Sequence, residues 1–328
     1  MNYSGIDISA KDFWVSSGGN AKSFAQSTKG YNSYLNWLGK VGRADAVSVM
    51  EATGVYHLRL AAFLRDKGLR VAVVNPQRPY HHGRSQMARV VNDSSAARNI
   101  EDFAIKNSVE GNWVPMPDEV EQLRWWLKEA DHRSSEITKL GNRVHSLKLR
   151  PSETRSRVEF LEQQILDQQA LLKKAESEAD ALASKYYREE RELFRSIPGI
   201  GAKTSMALVA FFCSHYEIAN AKQALVLAGL SLKRQTSGTS IHKKERITKM
   251  GYAHLRKCLY MAALTAVREN PACKDMYEKL VDKGKKKKVA LIAVACKLLR
   301  QAFAVWNTGM PFNAEKSKGN FERILAAS

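Results

Sequence analysis

Residues 46–51 read Ala46-Val47-Ser48-Val49-Met50-Glu51, a short apolar and β-branched run that ends in a carboxylate. A run of this length, bounded by charged residues, predicts a strand buried in a sheet. Three other stretches of the N-terminal third have the same character: Tyr3 to Ser9, Phe13 to Ser17 and Leu69 to Val74. Together they are candidates for the strands of one sheet.

Helical segments separate these strands. Tyr31 to Leu38 and Tyr56 to Lys67 carry apolar residues at helical spacing, and Gly68 stands where a glycine commonly ends a helix. The resulting order, β-β-α-β-α-β-α, predicts an α/β sheet.

Residues 118–190 follow a different pattern, in which apolar side chains recur every three or four positions. The stripe includes Ile137, Leu140, Val144, Leu147, Val158, Leu161 and Ile165. Because Pro151 interrupts it, we expect two long helices that either fold back as a hairpin or pair with another subunit.

Charge distinguishes the last segment from the other two. The 328 residues have a net charge of +19, of which residues 1–117 carry +5, residues 118–190 carry −2 and residues 191–328 carry +16. This excess is typical of a phosphate-binding face and is far from an ordinary metabolic enzyme. We therefore predict three domains with these boundaries, the last being helical with loops, and a polyanionic partner.

Composition excludes several other classes of protein. With 44% hydrophobic and 26% charged residues the chain is not mainly disordered, and it has no continuous apolar run of 18 residues for a membrane span. The first residues do not resemble a signal peptide, so we expect a cytoplasmic protein. The four cysteines lack zinc-ligand spacing, and we expect them to be reduced.

Three acidic residues of the first segment stand where chemistry could use them. Asp7 lies within the first strand, Glu51 ends a later strand, and Asp93 precedes a helical stretch. Each taken singly is explained equally well as a solvated strand end or a helix cap. Jointly they suit Mg²⁺, which prefers carboxylate oxygens, and their layout is that of ribonuclease-H-like nucleases by analogy of fold.

Residues 196–204, Ser196-Ile197-Pro198-Gly199-Ile200-Gly201-Ala202-Lys203-Thr204, resemble a helix-hairpin-helix. Its glycines let the backbone approach a phosphate, and the helix that follows offers free amides. A plain turn between core helices is the alternative. The small, polar stretch from Gly229 to Ser240 is either a solvated loop beside bound phosphate or the holder of a serine nucleophile.

The chain is similar in these motifs to the insertion-sequence 110 family of bacterial transposases, the DEDD recombinases related to pilin-gene DNA invertases. The matching pieces occur in family order along nearly the whole chain: Gly5-Ile6-Asp7, Glu51-Ala52-Thr53-Gly54, Asn75-Pro76, Asn92-Asp93, Ile197-Pro198-Gly199-Ile200-Gly201, Ala228-Gly229-Leu230, Ser237-Gly238-Thr239-Ser240, Lys249-Met250-Gly251 and Leu255-Arg256. The ordered set is far more specific than any one member.

The resemblance implies an α/β plus all-α protein with a RuvC-like N-terminal domain, a coiled-coil middle and a helical C-terminal transposase domain. It implies that Asp7, Glu51 and Asp93 bind Mg²⁺ and that Ser237 attacks DNA and forms a phosphoserine link. It also implies dimers that assemble into tetramers on donor and target DNA, guided by a noncoding bridge RNA, in the bacterial nucleoid. The expected nucleic-acid contacts are Pro198, Gly199, Gly201, Lys203, Lys233, Arg234, Lys243, Lys244, Arg246, Lys249, Arg256, Lys285, Lys286, Lys287 and Lys288.

One position departs from the family pattern. The fourth acid would follow Asp93 by three residues on the same helix face, but Ala96 occupies that position. Glu101 and Asp102 are too far along a helix to replace it without rearrangement. Three functions therefore compete: an active transposase or recombinase, a catalytically silent nucleic-acid-binding regulator, and a junction-resolving nuclease that uses the acids and water alone.

Overall fold

A five-stranded mixed sheet forms the centre of the first of two compact units, Met1–Pro115, in a computed structural model of the chain. The structure describes residues 1–86, 92–150, 155–215, 217–233, 236–237, 241–242 and 246–314. The strands are β1 (Tyr3–Ile8), β2 (Asp12–Ser17), β3 (Asn20–Ala25), β4 (Val47–Glu51) and β5 (Val71–Val74), in the order β3-β2-β1-β4-β5. β1, β2 and β3 are antiparallel, whereas β4 and β5 run parallel to β1. The α/β prediction is confirmed, with β3 as an additional strand.

Helices cover both faces of this sheet because successive strand side chains point in opposite directions. The helices are α1 (Thr28–Lys40), α2 (Tyr56–Asp66), α3 (Gln77–Ser85) and α4 (Asp93–Asn107). α1 and α2 pack on the face that carries Ile6 and Met50. α4 packs on the opposite face, against Val47 and Val49.

The second unit, Met116–Ser328, begins with two long helices, α5 (Asp118–Lys148) and α6 (Arg155–Tyr186). They are antiparallel, since Arg133 of α5 donates to Gln168 of α6 and Leu140 lies in one buried cluster with Leu161. Of the two arrangements predicted for this segment, the chain therefore adopts the hairpin, and these two leucines face each other within one chain.

The rest of the second unit is mostly helical. It contains α7 (Arg188–Arg195), α8 (Ala202–Phe212), α9 (Ala221–Leu227), α10 (Ala253–Glu269), α11 (Pro271–Asp282) and α12 (Lys287–Thr308), with the two-residue strands β6 (Leu232–Lys233), β7 (Thr236–Ser237), β8 (Ile241–His242) and β9 (Arg246–Ile247). The nine residues Thr204 to Phe212 of α8 are all buried, so this helix runs through the core.

α12 is the one helix among the described residues that is long and apolar enough to cross a membrane by length and composition. The search of the sequence for a continuous apolar run did not detect it. More than half of its apolar window is buried within the unit, where Val294, Leu298 and Ala302 belong to the main core cluster. A core helix accounts for this composition.

Candidate functional site

Asp7 and Glu51 lie side by side where two parallel strands end. β1 and β4 pair Ile6 with Met50, so the next residue of each strand is a carboxylate. The alternation of side chains places both carboxylates on the face covered by α4, and both are half-buried. The sequence analysis placed these acids at strand ends, and the pairing register brings them together.

α4 brings Asp93 toward the same face. A Cβ atom on Gly5 would lie 2.3 Å from the carbonyl oxygen of Ala97, so α4 can approach β1 this closely only because residue 5 is glycine. Asn92 caps the helix, accepting a hydrogen bond of 2.8 Å from the amide of Ser95. Asp93, the first residue of α4, is exposed at the positive end of the helix dipole.

The three carboxylates perturb one another. Burial raises the pKa of Asp7, and the charge of Asp93 raises it further. Burial likewise raises the pKa of Glu51, with Asp7 as the second cause. Carboxylates whose charged forms are disfavoured by each other are stabilised by a bound cation, and their oxygens suit a hard divalent ion.

The donor set therefore fits a divalent ion in its chemistry, although its members do not form a finished ligand group. In the part of the chain that the structure describes, no three Asp, Glu, His or Cys side chains lie close enough together to hold a metal ion. Ala96, half-buried one turn into α4, adds no oxygen.

Neither nearby acid of α4 is free to take the place of Ala96. Glu101 is buried, and its carboxylate accepts hydrogen bonds from Ser16 Oγ at 2.6 Å and from the Gly18 amide at 2.7 Å. Asp102 pairs with Lys106 and His82, and these contacts lower its pKa. Both acids hold the fold of the first unit together.

The turn between α7 and α8 contains the predicted phosphate-binding motif. Asn270, the N-cap of α11, donates to the carbonyl oxygen of Pro198 at 3.4 Å. A Cβ atom on Gly199 would lie 2.6 Å from Cβ of Ala266 in α10, and this residue has a φ of +99°. A larger residue would separate the turn from α10, so the glycine is required by the packing as well as by the backbone conformation.

The first turn of α8 is open to solvent. Gly201 is its N-cap and provides no side-chain acceptor, and Gly201, Ala202 and Lys203 are all exposed. Amides at such an end are free to bind an anion. Lys203 is already engaged, however, because its Nζ lies 2.5 Å from Glu176 Oε1 on α6. A phosphate at this turn competes with Glu176 for the lysine.

Ser237 lies in a loop built from two short ladders. The lower ladder pairs Lys233 with Arg246, and the upper ladder pairs Ser237 with Ile241. The base of the loop is closed by a hydrogen bond of 3.0 Å from the Lys249 amide to the Gly229 carbonyl. Only the backbone of Ser237 is described, while Arg234, Lys243, Lys244 and Ser240 lie outside the described residues.

Two cations of this loop face each other. Lys233 and Arg246 are directly opposite in the lower ladder, and both are exposed. Like charges at opposed positions destabilise a two-stranded ladder. A bound anion would remove that cost, so this pair is the stronger indication of phosphate binding among the predicted basic residues.

Two other predicted contacts have different surroundings. Arg256 donates from Nη1 to the carbonyl oxygen of Ala228 at 2.9 Å, and burial lowers its pKa, so it braces the base of the serine loop. Lys249 is exposed and has a φ of +57°, at the point where the chain leaves the loop.

The four lysines Lys285 to Lys288 are all exposed at the start of α12, which begins at Lys287. Cations are unfavourable at a helix N-terminus because the helix dipole is positive there. The positions therefore do not stabilise the free protein, whereas they concentrate positive potential where an anion would bind.

Sequence reasoning missed one charged cluster in the second unit. His254 of α10 binds Asp131 of α5 through Nδ1, Lys257 Nζ lies 2.7 Å from the other oxygen of Asp131, and Cys258 Sγ is 3.5 Å from His254 Nε2. Burial acts to lower the pKa of His254, but its hydrogen bonds to Asp131 and Cys258 raise it to about 9. The sequence contains one signal for it, the spacing of residues 254, 257 and 258 on one helical face, but nothing identifies Asp131 as their partner.

Comparison with known proteins gives matches over both units. Residues 191–278 match the family described as Transposase IS116/IS110/IS902, and residues 4–149 match a DEDD transposase family of IS110 type, described as Transposase. The chain is 27% identical over 327 residues to the pilin gene-inverting protein of Moraxella bovis, covering 95% of this chain and 97% of that protein. It is 29% identical over 270 residues to the protein of the same name in Moraxella lacunata, covering 81% of each. An uncharacterized 43.6 kDa protein of insertion element IS110 in Streptomyces coelicolor is 26% identical over 124 residues, or 38% of this chain and 30% of that protein.

Proposed function

Because the chain belongs to the IS110 family of transposases, we propose that it cuts and rejoins DNA through Ser237, assisted by the carboxylates Asp7, Glu51 and Asp93. The observation that carries this proposal is the gathering of the three acids on one sheet face, where Asp93 raises the pKa of Asp7 and Asp7 raises that of Glu51. A structural role does not require such repulsion.

The acids act together with a divalent ion in this proposal. Asp7, Glu51 and Asp93 would hold Mg²⁺, which supplies positive charge that offsets the charge developing on a phosphodiester during displacement. Gly5 keeps α4 against the sheet and so keeps Asp93 near Asp7. With Ala96 in the fourth position, three carboxylates carry the whole task.

Ser237 is the proposed nucleophile. Its hydroxyl gives up a proton as its oxygen bonds to phosphorus, and the displaced DNA oxygen takes a proton as it leaves. Lys233 and Arg246, paired in the lower ladder of the same loop, supply positive charge for the phosphate. Rejoining is the reverse displacement, in which a DNA hydroxyl attacks the phosphoserine.

Nucleic acid is proposed to bind the second unit along the exposed turn at Gly201 and the lysines at the start of α12. This assigns a helix-hairpin-helix role to α7, α8 and the turn between them, and a RuvC-like role to the sheet unit. Donor and target DNA are the substrates, and the resemblance adds a noncoding bridge RNA as guide. Action at the bacterial nucleoid follows from these partners.

Self-association is proposed through α6. Leu140 and Leu161 are used inside the hairpin, which leaves Leu166 and Leu171 as exposed apolar residues for a second copy. A dimer that pairs into a tetramer on two DNA molecules would bring two serines to each exchange.

The direct test is the trapping of a covalent protein–DNA adduct on labelled substrate DNA in Mg²⁺, both in this chain and with Ala96→Asp. Ser237→Ala removes one hydroxyl and no charge, so it should abolish the adduct and leave DNA binding nearly unchanged. Ser240→Ala, three residues along the same loop, is the matched control and should retain the adduct.

Two results would count against the nucleophile. An adduct that persists in Ser237→Ala, or one that maps to Ser240, assigns the chemistry to another residue. Metal-dependent cleavage with no adduct in any variant favours the junction-resolving nuclease. Ala96 itself favours a second candidate, a silent nucleic-acid-binding regulator, for which binding without cleavage or joining is the expected result.

A further inference from the structure

The tip of the α5–α6 hairpin is charged differently from its stem. Residues 139–162 contain six basic and three acidic residues, whereas the rest of 118–190 contains seven basic and twelve acidic residues. The stem is therefore at −5 and the tip at +3. The near-neutral total of this segment conceals a basic end.

Much of that positive charge surrounds one cavity. A cavity of about 490 Å³ lies at the tip beyond the buried cluster of Leu140 and Leu161, and Arg143, Arg150 and Arg157 line it. All three arginines are exposed, and none forms an ion pair with any residue in the described parts of the chain. The neighbouring cations do form such pairs: Lys148 binds Glu162 and Arg155 binds Glu159.

An aromatic ring completes the cavity. Phe160 lines it and is 63% exposed, and the hydroxyl residues Ser146 and Ser156 lie on the same wall. Unpaired guanidinium groups bind phosphate oxygens two at a time, and they stack on aromatic rings and bases. An exposed ring beside a positively charged groove is the combination with which proteins bind single-stranded nucleic acid, because every base has a face to stack.

We propose that this cavity is a binding site for an unpaired nucleotide of a single-stranded nucleic acid, whose phosphates contact Arg143, Arg150 and Arg157 and whose base stacks on Phe160. A second copy of the chain fits less well, because its own tip is equally basic. The proposal rests on the proposed function only in taking nucleic acid as the partner. It needs neither Ser237 nor the acids, so a failure of one proposal can be told from a failure of the other.

Binding of fluorescein-labelled U12 RNA, dT12 DNA and a 12-base-pair duplex to the full chain, over a series of salt concentrations, tests the site. Arg150→Gln with Arg157→Gln should weaken binding of a single strand at least tenfold and flatten the slope of log affinity against log salt by about one unit. Phe160→Ala should weaken it about tenfold with the slope unchanged. Arg155→Gln, which removes a charge at the same tip from a residue paired with Glu159, is the control and should have little effect.

Photocrosslinking of 4-thiouridine RNA and 4-thiothymidine DNA locates the contact. Crosslinks within residues 143–161 are expected, and the strand that gives them identifies the source as RNA or DNA. Equal weakening in the paired-arginine and Arg155→Gln variants, a preference for duplex, or crosslinks confined to other segments would overturn the proposal. A Phe160→Ala protein that changes its mass in solution while binding oligonucleotides normally would assign the cavity to a second copy.

Discussion

The ion pair between Asp131 and His254 connects the long hairpin to α10, and Asp131→Asn should release it. Asp131 lies on α5 and His254 on α10, with the two side chains 30% and 14% exposed. Burial acts to raise the pKa of Asp131, but hydrogen bonds from His254 and Lys257 lower it to about 2. The same pair raises the pKa of His254 to about 9.

The magnitude follows from these pKa values. Each unit of pKa difference between folded and unfolded chains is about 1.4 kcal/mol of stability. The displacement of His254 from 6.5 to about 9 corresponds to about 3 kcal/mol, and that of Asp131 from 3.8 to about 2 corresponds to about 2 kcal/mol. Both describe one interaction and are not added, so Asp131→Asn should cost about 2 to 3 kcal/mol at pH 6. For a unit of this size that lowers the midpoint by roughly 4 to 12 °C.

The pH dependence has a definite sign. Because the pKa of His254 is raised on folding, its contribution is complete below pH 6.5 and is lost as the pH rises through 9. The difference in unfolding free energy between the parent chain and Asp131→Asn should therefore be largest near pH 6 and shrink by pH 10. Urea unfolding of the C-terminal unit, followed by tryptophan fluorescence across this range, measures it.

Lys257→Gln is the matched control, since it removes the exposed partner of the same carboxylate. It should cost no more than about 1 kcal/mol. A difference between the parent chain and Asp131→Asn that does not change with pH, or one no larger than that of Lys257→Gln, would refute the reasoning.

Three further predictions concern binding and assembly. Replacing residues 285–288 with alanine should flatten the salt dependence of DNA affinity by about one unit for each phosphate that the lysines neutralise, and an unchanged slope in filter binding would make the run a solvated segment. Glu176→Gln should free Lys203 and tighten DNA binding a few fold at low salt, whereas Lys203→Gln should abolish that gain; equal affinity of Glu176→Gln and the parent would show that the ion pair does not compete with phosphate. Aspartate at Leu140 or Leu161 should lower thermal stability and leave the mass in solution unchanged because both lie inside one hairpin, and light scattering that reports monomers would place these leucines between subunits.

The elements that sequence reasoning predicted are those with a buried, repetitive pattern. β4 and β5 were predicted because nearly every side chain in them is apolar and buried. β3 was missed because it is an edge strand with Phe24 as its one buried residue, and a mostly exposed strand leaves little alternation to detect. The glycines at 18 and 19 that join it to β2 were the available signal for a hairpin.

The candidate site was predictable where neighbours in space are set by strand register. Asp7 and Glu51 could be placed together because parallel strands end at one edge. Pairings across the helical unit could not, because helical periodicity gives the buried face of a helix but not its partner. His254 and Asp131 are 123 residues apart, and Lys203 and Glu176 are joined only by the packing of two helices.

The central claim is that the chain exchanges DNA strands through its acidic cluster and that Ala96 limits this chemistry. Recombination of donor and target plasmids with a matched guide RNA, over a magnesium titration, tests it most directly for the parent chain, Ala96→Asp and the uncharged control Ala96→Asn. The account predicts poor recombination by the parent chain and by Ala96→Asn, with magnesium-dependent strand exchange gained in Ala96→Asp. Full activity of the parent chain, unimproved by Ala96→Asp, would contradict it and would require an acid other than those on this face of the sheet.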